Sequence, residues 1–286
     1  MLKRIILVLL CLLFLLPLCA AAQEHENTKV THYLLLGQDG YAEDIVKDAR
    51  TDTIVLVSLD EMYNRVIMPS VLRDSRIRNP NGNATKANRL YRYFGFDGII
   101  RCLERELNIE IEGAVLVNFE HVQPVIDALG GGDISINENE YIAIKSILMG
   151  RDPNMPKGPG MTHMTGRIAL AYMRARATGE NGDFSRTQRQ RKVVSQLLDK
   201  CRDLSLMELV NIYNQVSGGV EMNLSAMDIL SAISKGYKLI AGGADFREFS
   251  IPQKGTYSYG TVGDSSALMV RWNSNRNKFH EMLDNP

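Results

Sequence analysis

The sequence predicts an α/β fold. Short apolar, β-branched runs of strand length alternate with longer stretches of helical periodicity. Of the 286 residues, 45% are hydrophobic and 23% charged, which is enough apolar material for a buried core. Beyond the N-terminal segment, no repeat, low-complexity tract or shift of composition divides the chain.

The elements follow in order. "HYLLLG" is an apolar run closed by Gly37, a buried strand. The polar stretch "GQDGYAEDIVKDAR" is a loop, and "TDTIVLVSLD" is a β-branched second strand. "EMYN" turns the chain into a third strand, "RVIMPS". Residues 74–86 hold Pro80, Gly82 and several Asn, and read as loop. A helix is expected over 96–107, a strand at "GAVLVNF" and a helix over 121–129. "GGGD" is a turn before a short strand at 133–136, and 150–160 is a Pro/Gly-rich loop. Helices are expected at 165–173, 185–201, 205–215, 225–236 and 265–283, with a strand near 246–251.

The first 22 residues are a targeting segment. Lys3 and Arg4 precede an apolar run, and Ala20 and Ala22 sit at small-residue cleavage positions before Gln23. The run is also long enough to stay as a membrane anchor, and "LPLC" at Cys19 resembles a lipoprotein site. Each reading places residues 23–286 outside the cytoplasm, as secreted or anchored protein on the outer face of the membrane. Cys102 and Cys201 remain in the mature chain, both in apolar helical patterns that suit buried thiols.

Lys+Arg and Asp+Glu each number 33, so the net charge is +0, which argues against a nucleic-acid binder. Yet "RARATGENGDFSRTQRQRK" gathers Arg174, Arg176, Arg186, Arg189, Arg191 and Lys192. Ser185 and Gln188 form a capping-box start, so Arg186, Arg189 and Gln190 occupy the first turns of a helix. Cations there oppose the helix dipole by a few tenths to about 1 kcal/mol each. The apolar stripe Val193, Val194, Leu197, Leu198 continues through Arg189, Gln190 and Arg186, which turns these three inward. Inward guanidinium groups need an anion, either a phosphate or the protein's own carboxylates.

A second polar cluster forms if strands two and three are a hairpin. Arg50, Asp52, Ser70, Arg73 and Asp74 then meet at one sheet edge. Asp39 joins them if strand one is antiparallel to strand two, and lies at the far end if it is parallel. Two carboxylates beside two arginines suit Mg²⁺ together with a phosphate. They would equally make a rim of surface ion pairs.

The motifs "GQD", "RTDT", "SVLRD", "KANRLY", "ALGGGD", "GRIALAYMRAR" and "GDFSRTQRQRKV" occur in this order. Together, over 33–201, they resemble the LytR–CpsA–Psr family of extracytoplasmic glycopolymer transferases, with 202–286 as a C-terminal tail of strand and helices. The resemblance implies a single catalytic domain over 23–286. Its fold would be three-layer α/β/α around a central mixed sheet. The implied reaction moves a glycopolymer from a polyprenyl-pyrophosphate carrier in the membrane onto peptidoglycan, at the 6-hydroxyl of N-acetylmuramic acid. Asp39 and Asp52 resemble the family's magnesium ligands. Arg50, Arg73, Arg174, Arg176, Arg189 and Gln190 resemble its pyrophosphate clamp. Lys86, Asp183 and Arg186 match further polar positions, and Asp74 is a candidate base. Tyr41 and Leu72 stand where the family often has Arg and Pro. The same clamp would serve a polyprenyl-pyrophosphate phosphatase or a non-catalytic glycan-binding wall protein. The five histidines are scattered without metal spacing, and no Walker A, G-x-S-x-G or G-x-G-x-x-G is present.

Overall fold

A computed structural model describes residues 30–38, 50–175 and 220–285, with Arg189, Lys192, Val193, Gln196, Lys200, Leu204 and Glu208 between the last two stretches. In chain order the elements are β1 (Thr31–Gln38), β2 (Thr51–Asp60), β3 (Arg65–Val71), β4 (Arg76–Arg78), β5 (Ala84–Lys86) and α1 (Leu90–Leu107). Then come β6 (Gly113–Asn118), α2 (Phe119–Ala128), β7 (Gly132–Ile136), α3 (Glu138–Ile147), β8 (Gly160–Met164) and α4 (Gly166–Arg174). The last are β9 (Val220–Met222), α5 (Ala226–Ala241), β10 (Asp245–Ile251), β11 (Tyr257–Val262), β12 (Ser265–Val270) and α6 (Trp272–Asp284). They fall into two compact units, the described parts of Pro17–Asn118 with Val220–Pro286, and of Phe119–Gly219.

The first unit is built on a mixed sheet in the order β10-β3-β2-β1-β6-β9. β1 is antiparallel to β2 and parallel to β6, and β10 runs parallel to β3. All eight residues of β1 are buried, because both faces of the sheet are covered. One face carries Leu34, Leu36, Ile54 and Leu56 against Ile99 and Leu103 of α1 and Phe279 of α6. The other carries Tyr33, Leu35, Val55 and Val57. On that side Lys235 of α5 donates to Thr31 Oγ1 at 2.7 Å, and Ser231 bonds the Tyr33 hydroxyl. Helix, sheet and helix are the three layers that the family resemblance implies. β9 and β10 enter from beyond the second unit, so no continuous piece of chain supplies the whole sheet.

Local chemistry explains the element ends. The β2–β3 hairpin turns at 61–64, with Asn64 left-handed at φ 45°. α5 starts at a capping box in which Ser225 and Asp228 exchange hydrogen bonds. In the second unit, α3 starts at a capping box of Asn137 and Glu140. β7 and β8 pair antiparallel. Gly130 and Gly131 have φ of 72° and 64°, which makes "GGGD" the expected turn. Gly166 has no room for a Cβ, which would meet Gln123 O at 2.3 Å, so α2 and α4 pack closely there.

Several expectations need correction. Residues 74–86 are not plain loop, because β4 and β5 pair as a small hairpin within them. Its apolar content is Ile77 and Ala84, too little to register as a strand. Residues 265–283 are not one helix. Ser265–Val270 is a strand that pairs with β11 across Gly263–Asp264, and only Trp272–Asp284 is helical. The two-residue loop with Gly263 at φ 57° is a hairpin signal that the run of Ser, Ala and Leu obscures. The first long helix starts at Leu90 rather than Phe96 and breaks its geometry at Gly95. α3 and β8 were not foreseen. The expected helices at 185–201 and 205–215 lie mostly outside the described residues. Among the described residues, no helix is long and apolar enough to cross a membrane.

Candidate active site

The β2–β3 hairpin places two aspartates and an arginine where the sequence puts them. Along the ladder, Asp60 pairs with Arg65, Leu59 with Val66, Ser58 with Ile67 and Val55 with Ser70. Continued to the sheet edge, that register sets Asp52 opposite Arg73. Arg73 Nη1 donates to Asp52 Oδ2 at 2.8 Å. Arg73 Nε lies 3.6 Å from Asp74 Oδ2, and Lys86 Nζ donates to Asp74 Oδ1 at 2.8 Å. Asp52, Arg73, Asp74 and Lys86 therefore form one chain of alternating charge. The side chains of Arg73 and Asp52 are 28% and 18% exposed, so the chain is half-buried and open to a ligand.

β1 is antiparallel to β2, the arrangement that brings the end of strand one to this edge. Gly37 pairs with Thr53 and Gln38 with Thr51, so Asp52 is the extra residue of a β-bulge. Thr51 and Thr53 are buried on either side, while the bulge turns Asp52 outward to Arg73. A Cβ on Gly37 would meet Thr53 Cβ at 2.9 Å, so glycine allows the two strands to close at this point. Asp39 follows Gln38 and lies outside the described residues. Arg50 is exposed at the entrance to β2.

The backbone of residues 72–75 is held on three sides. Leu72 N donates to Ile251 O of β10 at 2.7 Å. Asn88 N donates to Arg73 O at 3.1 Å, and Ala87 N to Ser75 O at 2.9 Å. Leu268 N of β12 donates to Asp74 O at 2.9 Å. Arg73 and Asp74 are thus presented by a braced turn. Beside it, Thr51 Oγ1, Ser75 Oγ and Asn88 Oδ1 are buried polar atoms with no hydrogen-bond partner. Such atoms are rare and concentrate where a ligand or ordered water completes the bonding. Sequence reasoning missed all three, although Asn88 lies inside the quoted "KANRLY".

The arginine stretch belongs to the second unit. Arg174 closes α4 and is half-buried. Arg189 is helical and 3% exposed, turned inward as its spacing with Val193 predicts, and Val193 is 2% exposed. Lys192, expected to face water, is exposed. Arg189 Nη2 donates to the Ala175 carbonyl, which joins it to the end of α4. Part of this inward charge thus meets a backbone carbonyl rather than a carboxylate. Tyr172 on α4 donates to Glu140 Oε1 at 3.2 Å, and burial holds its hydroxyl above the ordinary value. Arg176, Asp183, Arg186 and Gln190 lie outside the described residues, as does Cys201. Cys102 is a buried free thiol, as its apolar setting predicts.

Among the described residues no three His, Cys, Asp or Glu side chains gather as a metal cage. The donor set at the sheet edge fits a different arrangement. Magnesium commonly takes one or two carboxylates and completes its shell with water and substrate phosphate oxygens. Asp52, turned outward by the bulge, is such a carboxylate.

Comparison with known proteins identifies the family. The model of the LytR_cpsA_psr family matches residues 19–275. The chain is 30% identical over 200 residues to the polyisoprenyl-teichoic acid–peptidoglycan teichoic acid transferase TagV of Bacillus subtilis (strain 168), covering 67% of this chain and 49% of TagV. It is 30% identical over 207 residues to the transferase of the same description, TagU, of Bacillus mycoides (strain KBAB4), covering 72% of this chain and 64% of TagU. The chain thus spans about half to two thirds of the length of these relatives. A solved structure of TagT bound to LIIa-WTA superposes with a TM-score of 0.69 at 24% identity, covering 93% of this chain and 94% of that one, which supports the fold. The protein belongs to the LytR_cpsA_psr family.

Proposed function

We propose that the protein is an extracytoplasmic phosphotransferase that moves a glycopolymer from a polyprenyl-pyrophosphate carrier to a peptidoglycan hydroxyl. The observation that carries this reading is the braced charge chain Asp52–Arg73–Asp74–Lys86 at the sheet edge. It agrees with the relatives named as teichoic acid–peptidoglycan transferases. In the reaction, the acceptor oxygen bonds to the phosphorus nearest the glycan. The bond from that phosphorus to the bridging oxygen breaks, polyprenyl phosphate departs, and a phosphodiester links glycan to wall.

Two phosphates bring several negative charges, and a catalyst must offset them without adding bulk. Arg73 offers a planar fork of donors and Lys86 a compact cation. Both are now engaged by carboxylates, so a phosphate competes for cations already held in position rather than ordering free side chains. Asp74, between them, accepts the proton of the attacking hydroxyl. Asp52 and Asp39 would hold Mg²⁺, which would supply further charge neutralisation at the phosphate oxygens.

The test is transfer of a radiolabelled lipid-linked glycopolymer to purified peptidoglycan by wild type and Arg73→Ala, with soluble labelled glycan phosphate measured in parallel. Wall-linked label that depends on Arg73 supports the proposal. Soluble label released as glycan phosphate, with none linked to the wall, would replace it with a phosphatase that hydrolyses the carrier pyrophosphate. Equal transfer by both proteins would remove Arg73 from the mechanism.

A further inference from the structure

The β11–β12 hairpin has two different faces. Val262 and Ala267, at 9% and 2% exposure, point inward. The opposite face alternates with them and carries Tyr257, Tyr259 and Thr261, paired across the strands with Val270, Leu268 and Ser266. None of these six is charged. Tyr259 is 79% exposed, more than any other large apolar or aromatic side chain among the described residues. Tyr257 meets it edge to face at 5.8 Å between centroids. A single exposed ring needs no explanation, but a braced pair on an uncharged face does.

This face adjoins the candidate active site. Leu268, the cross-strand partner of Tyr259, donates its backbone N–H to the carbonyl of Asp74 at 2.9 Å. Tyr259 therefore stands two strand spacings, roughly 10 Å, from the candidate base. From the opposite side of the hairpin Arg89 reaches Ser265 Oγ at 3.4 Å, which further ties it to the braced turn after β3.

We infer that Tyr257 and Tyr259 form a binding subsite for an uncharged glycan chain, which lies on the hairpin and leads a sugar hydroxyl toward Asp74. A sugar ring has an apolar C–H face and a hydroxyl rim. An aromatic ring among Tyr, Thr and Ser hydroxyls matches both. A polyanion would find no cation on this face, and an apolar tail would strand the hydroxyls. The assignment of this glycan as the acceptor rests on the transferase reading, whereas the binding itself does not.

The experiment titrates the full chain with a β-1,4-linked N-acetylglucosamine tetrasaccharide, followed by calorimetry and ligand-observed NMR. Tyr259→Ala should weaken binding about tenfold. Tyr259→Phe, which keeps the ring, should stay near wild type, as should Tyr237→Ala, a control at another exposed tyrosine. Circular dichroism checks that each variant is folded. Equal affinity of wild type and Tyr259→Ala overturns the subsite, as does binding of a sugar-free wall peptide in place of the tetrasaccharide. Transfer assays on the same proteins separate the two readings. Tyr259-dependent binding by a chain that performs no transfer keeps the subsite and removes the reaction. Transfer with no tetrasaccharide binding removes the subsite alone.

Discussion

One hairpin carries two Asp–Arg pairs, one at each end, and their surroundings are opposite. At the turn, Arg65 Nε donates to Asp60 Oδ2 at 2.6 Å, with side chains 1% and 3% exposed. Its remaining donors go to backbone carbonyls at the end of α6: Met282 at 3.0 Å, Asn285 at 2.6 Å and Leu283. Four acceptors surround one guanidinium whose burial shuts it off from a ligand. At the sheet edge, Arg73 meets Asp52 in the same register, but the pair stays partly open and continues to Asp74 and Lys86. Residue type and cross-strand register are alike, so the environment makes one pair structural and the other a candidate for catalysis.

The largest expected effect lies at the closed end. Arg65→Ala leaves Asp60 buried without its cation and releases the end of α6, so stability should fall by about 3–5 kcal/mol. Urea denaturation measures it, and a loss under 1 kcal/mol would make the two ends equivalent after all. Arg73→Ala inverts the profile. Stability should change by no more than about 1 kcal/mol, since the pair is partly exposed. Transfer should drop by about 10²–10³-fold, the usual cost of losing a placed charge donor. A variant that unfolds instead would mark the edge pair as structural.

Asp52→Asn sharpens the contrast. Its amide keeps the shape at the bulge but gives up the charge, so Mg²⁺ affinity measured by calorimetry should weaken while the midpoint of urea unfolding stays within error. Asp60→Asn should show the reverse, lost stability with unchanged metal binding. Smaller again is the pH effect of the sheet's buried phenol. Burial raises Tyr33 above its ordinary value of 10.0, so it stays neutral in the folded chain while the unfolded chain ionises. The contribution of Tyr33 to stability should therefore be constant below pH 10 and decline above it. Tyr33→Phe should reduce that decline in a denaturation series between about pH 9 and 11. The least effect concerns Cys102, whose thiol burial pushes up. Iodoacetamide should leave it unmodified in the native chain and alkylate it in denaturant, as peptide mass spectrometry would record.

The strands that build the sheet were readable because their apolar runs are continuous. "HYLLLG", "TDTIVLVSLD" and "RVIMPS" became β1, β2 and β3 with little change of boundary. The edge cluster was readable for a related reason: a hairpin has only two ends, so Asp52 and Arg73 must meet at one of them. The bulge that turns Asp52 outward was not readable, since it depends on how Gly37 closes on Thr53. Nor were Lys86 and Asn88 derivable as neighbours of Asp74 from spacing. The motif resemblance singled out Lys86, but its contact with Asp74 depends on the β4–β5 hairpin folding back.

Composition and pattern by themselves determined the α/β class, the β2–β3 hairpin and the inward turn of Arg189. These depend on properties of short segments: strand alternation, helical period and charge. Tertiary structure alone decided which Asp–Arg pair is closed in and which stays partly exposed, and which outward face stands beside the candidate base. Those outcomes depend on distant partners, the carbonyls at the end of α6 for Arg65 and the backbone of Leu268 for Asp74, and contacts across two hundred residues leave no local signature.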